Sequence, residues 1–270
     1  MDALRFTITA LFAASIVISA PLTKQLEGNF TEAADRHMRR GELLVVGDGR
    51  VVFAASIITA DTWDLLLKTM NILPEAPEID YDWLRAGDEF AEIPSNHSEL
   101  GPSKRDCDSN HPIIIDRTLR FVDWDVQMSP VVIGTGSRGM DITISKSYSI
   151  ANQVTVSAGL DVTPIKDRLK LGFGIDFSRT WTTMQGYLIR GTVDAGQTGV
   201  VITMPWTNRR YGRTFQGCVG NLRQTGTFMA DSHEDGSYEG VTWVSGAITT
   251  CVKNQTSIPL SRCHGVGDFL

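Results

Sequence analysis

Cysteine is absent from the first 106 residues and then occurs four times, at Cys107, Cys218, Cys251 and Cys263. No two of these lie close enough for a Cys-x-x-Cys half-site, which argues against a zinc site; in an exported chain the even number predicts two disulfides, in any of three pairings. After the N-terminus the chain also lacks the roughly 18-residue apolar run that a transmembrane helix needs. The second half has no surplus of positive charge: Asp106 to Leu270 carries 15 acidic and 15 basic residues, whereas Pro21 to Arg105 carries 15 acidic against 9 basic. A charge-balanced domain has no field to draw in nucleic acid, so none is expected as a partner. A Gly-x-Ser-x-Gly nucleophile turn is missing, and no other spacing matches a known catalytic motif, so neither an enzyme nor a cofactor is expected.

What the sequence does contain points to export. Arg5, the apolar run Ile8 to Ile18 and the small residues Ser19 and Ala20 predict a signal peptide over residues 1–20 and a secreted, extracellular product. Asn29, Asn96 and Asn254 each have Thr or Ser two places on with no Pro between, the acceptor pattern for N-linked glycan. Residues 21–105 are expected to be an acidic pro-segment. Glu42 to Val46 and Val51 to Ala55 flank Gly47, Asp48 and Gly49 as a hairpin, and Thr59 to Asn71 has helical spacing in Trp63, Leu66, Leu67 and Met70 before Pro74. A polar linker follows and ends in Lys104 and Arg105, a dibasic pair of the kind that processing proteases cut, which predicts a mature domain over 106–270.

That domain is expected to be all-β, an antiparallel sandwich or an elongated twisted sheet. Ile142, Ile144 and Ile150, then Val154 and Val156, then Leu169, Leu171, Phe173, Ile175 and Phe177 recur at a period of two among polar and glycine positions, which predicts strands and no long amphipathic helix. Further strands are expected at Tyr187 to Val193, Gly199 to Pro205, Thr225 to Met229 and Val241 to Cys251.

Four blocks carry a family resemblance: Phe121 to Pro130 (FVDWDVQMSP), Ser178 to Thr183 (SRTWTT), Pro205 to Arg213 (PWTNRRYGR) and Ala230 to Glu234 (ADSHE). The mature half resembles the secreted effector-like proteins of plant-associated filamentous fungi grouped as Celp effector-like. This resemblance implies a virulence role directed at a host and no catalytic residues. The Ser/Thr-rich stretch from Asp141 to Thr183 is in turn similar to the membrane-inserting hairpins of aerolysin-type β-pore toxins, with one face for lipid and one for a wet lumen.

Two clusters stand out as sites. Trp206, Arg209, Arg210, Tyr211 and Arg213 place three guanidinium groups and two large rings in eight residues, between Pro205 and Gly212; this reads as a loop that binds a host protein, a glycan or a membrane surface. The opposing reading makes Trp206 and Tyr211 core and pairs the arginines with acidic residues of the pro-segment or the Asp231 region. Asp231, His233, Glu234, Asp235 and Glu239 form the densest titratable cluster, with His264 beside Cys263; a His among carboxylates suits a hydrolase, and a solvated loop looks the same. Binding outside the producing cell is the expected function, with a pore former and a secreted hydrolase as the rival classes.

Overall fold

One strand carries most of the architecture. In the computed structural model, which describes residues 31–32, 37–38, 41–47, 55–90, 111–137, 139–144, 149–182, 190–217, 222–238 and 241–270, a ten-stranded sheet is built from β1 (Thr31–Glu32), β2 (Glu42–Val46), β3 (Ala55–Thr59), β4 (Ile113–Val122), β5 (Val126–Gln127), β6 (Val132–Ile133), β7 (Gln153–Val156), β8 (Thr198–Gln216), β9 (Arg223–His233) and β10 (Gly246–Lys253). Its pairings are antiparallel. The order is β1-β3-β2-β10-β8-β9-β7, with β4, β5 and β6 pairing β8 along its other edge. Strands make up 49% of the described residues and helices 17%, so the fold is all-β.

The 19 residues of β8 serve two partners in succession: Thr198 to Pro205 pair with β10, and Thr207 to Gln216 pair with β9. The handover falls at Pro205, which has no N–H to give a ladder. Opposite it sits Gly246, at φ 156°, where a Cβ would lie 2.2 Å from the Met204 carbonyl oxygen; only glycine fits that approach. Val200, Val201, Ile202 and Met204 of the first half are buried, and Val201 packs with Leu44, Val46, Trp243 and Ile248.

A hairpin forms before residue 60 with β3 as its described second arm, Leu44 facing Ile57 and Val46 facing Ala55; of the expected arm Val51 to Ala55, residues 51–54 lie outside the described residues. Beyond the hairpin, β2 pairs with β10, so this part of the expected pro-segment continues the central sheet; Thr31–Leu270 is one compact unit. Helix α1 (Ala60–Thr69) follows with Thr59 as N-cap and buries Trp63, Leu66 and Leu67, matching the spacing read in the sequence. A short α2 (Tyr81–Ala86) is capped by Asp80, whose side chain accepts from Trp83 N–H at 2.9 Å.

The run Leu169 to Phe177 is a correction. Its first half is not a strand but the end of α3 (Val162–Phe173). Asp161 caps the helix by accepting from Thr163 N–H, Pro164 sits in the first turn where a missing N–H costs nothing, and Gly174 at φ 67° ends it in the left-handed conformation. The buried residues are Ile165 and Leu169, four apart, against Phe228 and Ala230 of β9. Leu171 and Phe173, which the alternation placed inside, are 80% and 50% exposed.

The Asp141 to Thr183 stretch does not form one long hairpin either. Met140–Thr143 pairs with Arg190–Val193, Ser149–Ala151 with Thr180–Thr182, and β7 with β9. No described helix is long and apolar enough to cross a membrane. Cys251 and Cys263 are joined by a disulfide that ties β10 to the C-terminal ribbon Leu260–Ser261/Asp268–Phe269. Cys107 and Cys218, the dibasic pair Lys104 and Arg105, the sequons Asn29 and Asn96 and the signal-like residues 1–20 lie outside the described residues. Asn254 is exposed just after β10, its side-chain oxygen accepting from Gln197 Nε2 at 2.9 Å.

Candidate functional site

The block expected as a loop, Trp206 to Arg213, lies inside β8, paired on one edge with β9 and on the other with β4. Its glycine and proline mark the handover and a register shift rather than a turn: the β4 register slips between Tyr211 and Gly212. Alternation along the strand then divides the block between two sides.

On one side the side chains are sealed. Arg209, 5% exposed, donates from Nε and Nη2 to the two carboxylate oxygens of Asp231, both at 2.8 Å, and from Nη1 to the Pro77 carbonyl at 3.0 Å. Burial opposes its charge, and the hydrogen bonds and attraction of Asp231 more than offset that, so its pKa is raised. Tyr211 is buried beneath the Arg117 guanidinium, 4.0 Å from the ring centre, with Trp83 edge-on and its hydroxyl accepting from Asp80 N–H at 3.2 Å. Trp206, which alternation places on the opposite side with Asn208 and Arg210, is buried too, stacked on Trp63 of α1 with centroids 5.9 Å apart. Arg213 pairs with Asp116 at 2.7 Å. These four residues are therefore part of the fold, and the pairing with acidic partners that the sequence offered as the opposing reading holds for Arg209.

Arg210 is different. It is half-buried on the other side of β8 and faces a cleft of about 510 Å³ whose walls include Phe173, Asn152, Arg179, Trp181 and His233. Its Nη1 donates to Ser232 Oγ at 2.7 Å and its guanidinium lies 5.1 Å from the centre of the Phe173 ring. Burial lowers its pKa, with Glu234 pulling the other way. Among the described residues no carboxylate lies within 4.0 Å of it.

The other charged groups of the cleft are held by partners, two ion pairs among them. Arg179 pairs with Asp235 at 2.7 Å, and the same carboxylate oxygen accepts from Trp181 Nε1 at 2.9 Å. Glu234 accepts from Arg120 and from Asn208 Nδ2, each at 3.1 Å. Asp176 accepts from the Ser178 amide and hydroxyl, which lowers its pKa. Asn152 ties the walls together: its Nδ2 donates to the Asp176 carbonyl and its Oδ1 accepts from His233 N–H at 2.8 Å.

His233, at the end of β9, also borders a second cleft of about 410 Å³ near Asp123, Gln153, Arg262 and Asp268. Its Nε2 lies 3.1 Å from Thr207 Oγ1, which donates to Asp123 Oδ2 at 2.9 Å. Burial holds its pKa below the ordinary value, against the attraction of Asp123 and Asp231. This chain resembles a charge relay, but its hydroxyl, Thr207 Oγ1, is fully buried between His233 and Asp123 and is not placed to attack a substrate. The Asp231 to Asp235 cluster is thus not a solvated loop: it closes β9 and opens a second ribbon, Asp235–Tyr238 against Val241–Val244. Glu239 lies outside the described residues. Elsewhere, His264 is raised in pKa by its hydrogen bond to the buried Asp125, whose other oxygen accepts from the Cys263 and His264 amides at 2.8 and 2.7 Å. The nearby sulfurs are spent in the disulfide, so they offer no thiolate to a metal.

Sequence reading thus found Arg210 and His233 but missed Asn152, Phe173 and Asp176 as cleft residues. Phe173 hides in an alternating run whose buried set it does not join, and the two others are brought in by register and turns that no spacing announces. No protein family, no curated protein and no solved structure matches this chain.

Proposed function

We propose that this is a secreted, effector-like protein that acts outside the producing cell by binding a saccharide of a host or cell surface in the cleft over Arg210. The observation that carries the reading is the pairing of an exposed aromatic ring, Phe173, with a rim of fixed planar polar groups, Arg210, Asn152, Arg179 and Asp235. A pyranose ring has an apolar face that stacks on such a ring and an edge of hydroxyls that both donate and accept, which is what interleaved amide, guanidinium and carboxylate groups supply. The polar groups are held by bonds to one another, so little ordering remains to be done on binding. The leader-like N-terminus and the sequons support a place outside the cell. No catalytic step is assigned: among the described residues the hydroxyl bonded to the histidine of the cleft is that of the buried Thr207.

The test is an array of surface and cell-wall oligosaccharides probed with the secreted full chain and with Phe173→Ala. Phe173 is half exposed, so its removal should leave the melting temperature nearly unchanged while array binding drops about tenfold or more, as expected for an aromatic anchor at the centre of a site. Equal binding by wild type and F173A, or no binding by either, removes the reading.

A further inference from the structure

Resting on that reading of the cleft, we infer that the saccharide it takes is acidic: a uronic-acid-containing oligosaccharide whose carboxylate is gripped by Arg210. Charge accounting within the cleft leads there. Arg179 is paired with Asp235 and Glu234 with Arg120, while Asp176 accepts hydrogen bonds from the neutral Ser178; the Arg210 guanidinium has no carboxylate partner among the described residues and a single hydrogen bond, to Ser232 Oγ. A half-buried cation with most of its donors unused among the described residues is poorly solvated and gains much from an anion.

The geometry is set in advance. Ser232 holds Nη1 from one side and the guanidinium carbon stands over the Phe173 ring, 5.1 Å from its centre, which leaves the Nε–Nη2 fork without a protein partner among the described residues. Two parallel N–H bonds from such a fork match the two oxygens of a carboxylate. The same Phe173 ring remains half exposed for the sugar to which that carboxylate is attached. A sulfate or phosphate ester suits the site less well. Only one guanidinium lacks a carboxylate partner, the helix terminus in the wall is the C-terminal end of α3 at Phe173 and Gly174, whose dipole is negative, and Glu234 and Asp235 line the same cleft and disfavour a dianion.

Calorimetric titration of the full chain decides it, with oligogalacturonate, a glucuronate-containing oligosaccharide, the methyl-esterified oligogalacturonate, a sulfated galactose oligosaccharide and a neutral galactose oligosaccharide as probes. At least one acid form should bind about tenfold or more tightly than the ester and the neutral sugar, with an affinity that falls as salt rises. Arg210→Gln should bring the acid down to the level of the neutral sugar, and Arg210→Lys should recover only part, since an ammonium offers no fork. Should R210Q not fold, the comparison of acid with ester on the wild-type protein stands alone. Equal affinity for acid and ester, full affinity in R210Q, or preference for a sulfated oligosaccharide lacking carboxylate overturns the inference while leaving a saccharide site in place. Failure to bind any of the probes, neutral ones included, overturns both.

Discussion

Arg209 and Arg210 are neighbours in sequence, carry the same side chain and lie on the same strand, yet they do opposite things. Arg209 faces the side covered by residues 77–84, where Asp231 and the Pro77 carbonyl take up three of its N–H groups. Arg210 faces the side where Phe173 and Ser232 hold it but no carboxylate meets it among the described residues. A period of two turned one composition into a structural ion pair and a cation open to a cleft, so a cluster of arginines and aromatics is no more one site than a strand has one face.

The contrast depends on the cover, and the largest effect is expected from removing it. The fragment Asp106–Leu270 would lose β2, β3, α1 and α2, and with them the buried Leu44, Val45, Val46, Trp63, Leu66 and Leu67. At about 1.5–3 kcal/mol for each large buried apolar side chain, those six alone amount to about 10 kcal/mol or more, comparable with the whole stability of an ordinary domain. The fragment should therefore show no cooperative thermal transition by circular dichroism, and its Arg209 would be as open as Arg210. Cleavage after Arg105 in the intact chain should instead leave two pieces that co-purify and separate only in denaturant. A fragment that melts sharply by itself would show that residues 31–90 are a removable cover.

A smaller effect separates the two arginines directly. Asp231→Ala strands the buried Arg209 charge and should lower stability by about 3 kcal/mol, read as a drop in the urea midpoint with unchanged slope. R210Q leaves behind only the buried Ser232 hydroxyl, which still donates to the Asn208 carbonyl, and should cost about 1 kcal/mol or less. If the two variants melt alike, the division between sealed and open sides is not energetic. Arg213→Ala, which breaks only a partly exposed pair with Asp116, should shift the midpoint least of the three.

How far the sequence announces these outcomes follows from what each depends on. The all-β class is legible because alternation at Val154 and Val156 and the apolar run Val200 to Ile202 are local signals. The α1 helix is legible for the same reason, its buried face recurring at three and four residues with Thr59 ahead of it. The α3 helix is not, because Leu169, Leu171, Phe173, Ile175 and Phe177 satisfy a period of two as well as Ile165 and Leu169 satisfy a period of four; the caps Asp161 and Gly174 decide it. Least legible is the fate of each arginine. It is set by Arg209 standing opposite Asp231 and Arg210 opposite Ala230, a register fixed by 22 residues of intervening chain.

The subtlest difference between regions is carried by two histidines, and pH reads it out. His233, where the sealed side meets the cleft, has its pKa pushed below the ordinary 6.5 by burial; His264, in the C-terminal clasp, has its pKa raised above 6.5 by its hydrogen bond to Asp125. For His233 the unfolded chain binds more protons than the folded one between the depressed value and 6.5, so its contribution is full above 6.5 and is lost as pH falls through that window. For His264 the folded chain binds more protons between 6.5 and the raised value, so its contribution is full below 6.5 and is lost as pH rises. With carboxylate titration kept out of range by working above pH 5.5, the midpoint of urea unfolding should peak near the ordinary imidazole value and decline on both sides. His264→Gln should flatten the alkaline decline alone and His233→Gln the acid decline alone, the second being the larger because His264 is 42% exposed and more strongly screened. A wild-type midpoint that rises steadily across the range, or an acid decline that survives His233→Gln, would mean that the burial of His233 does not set its charge.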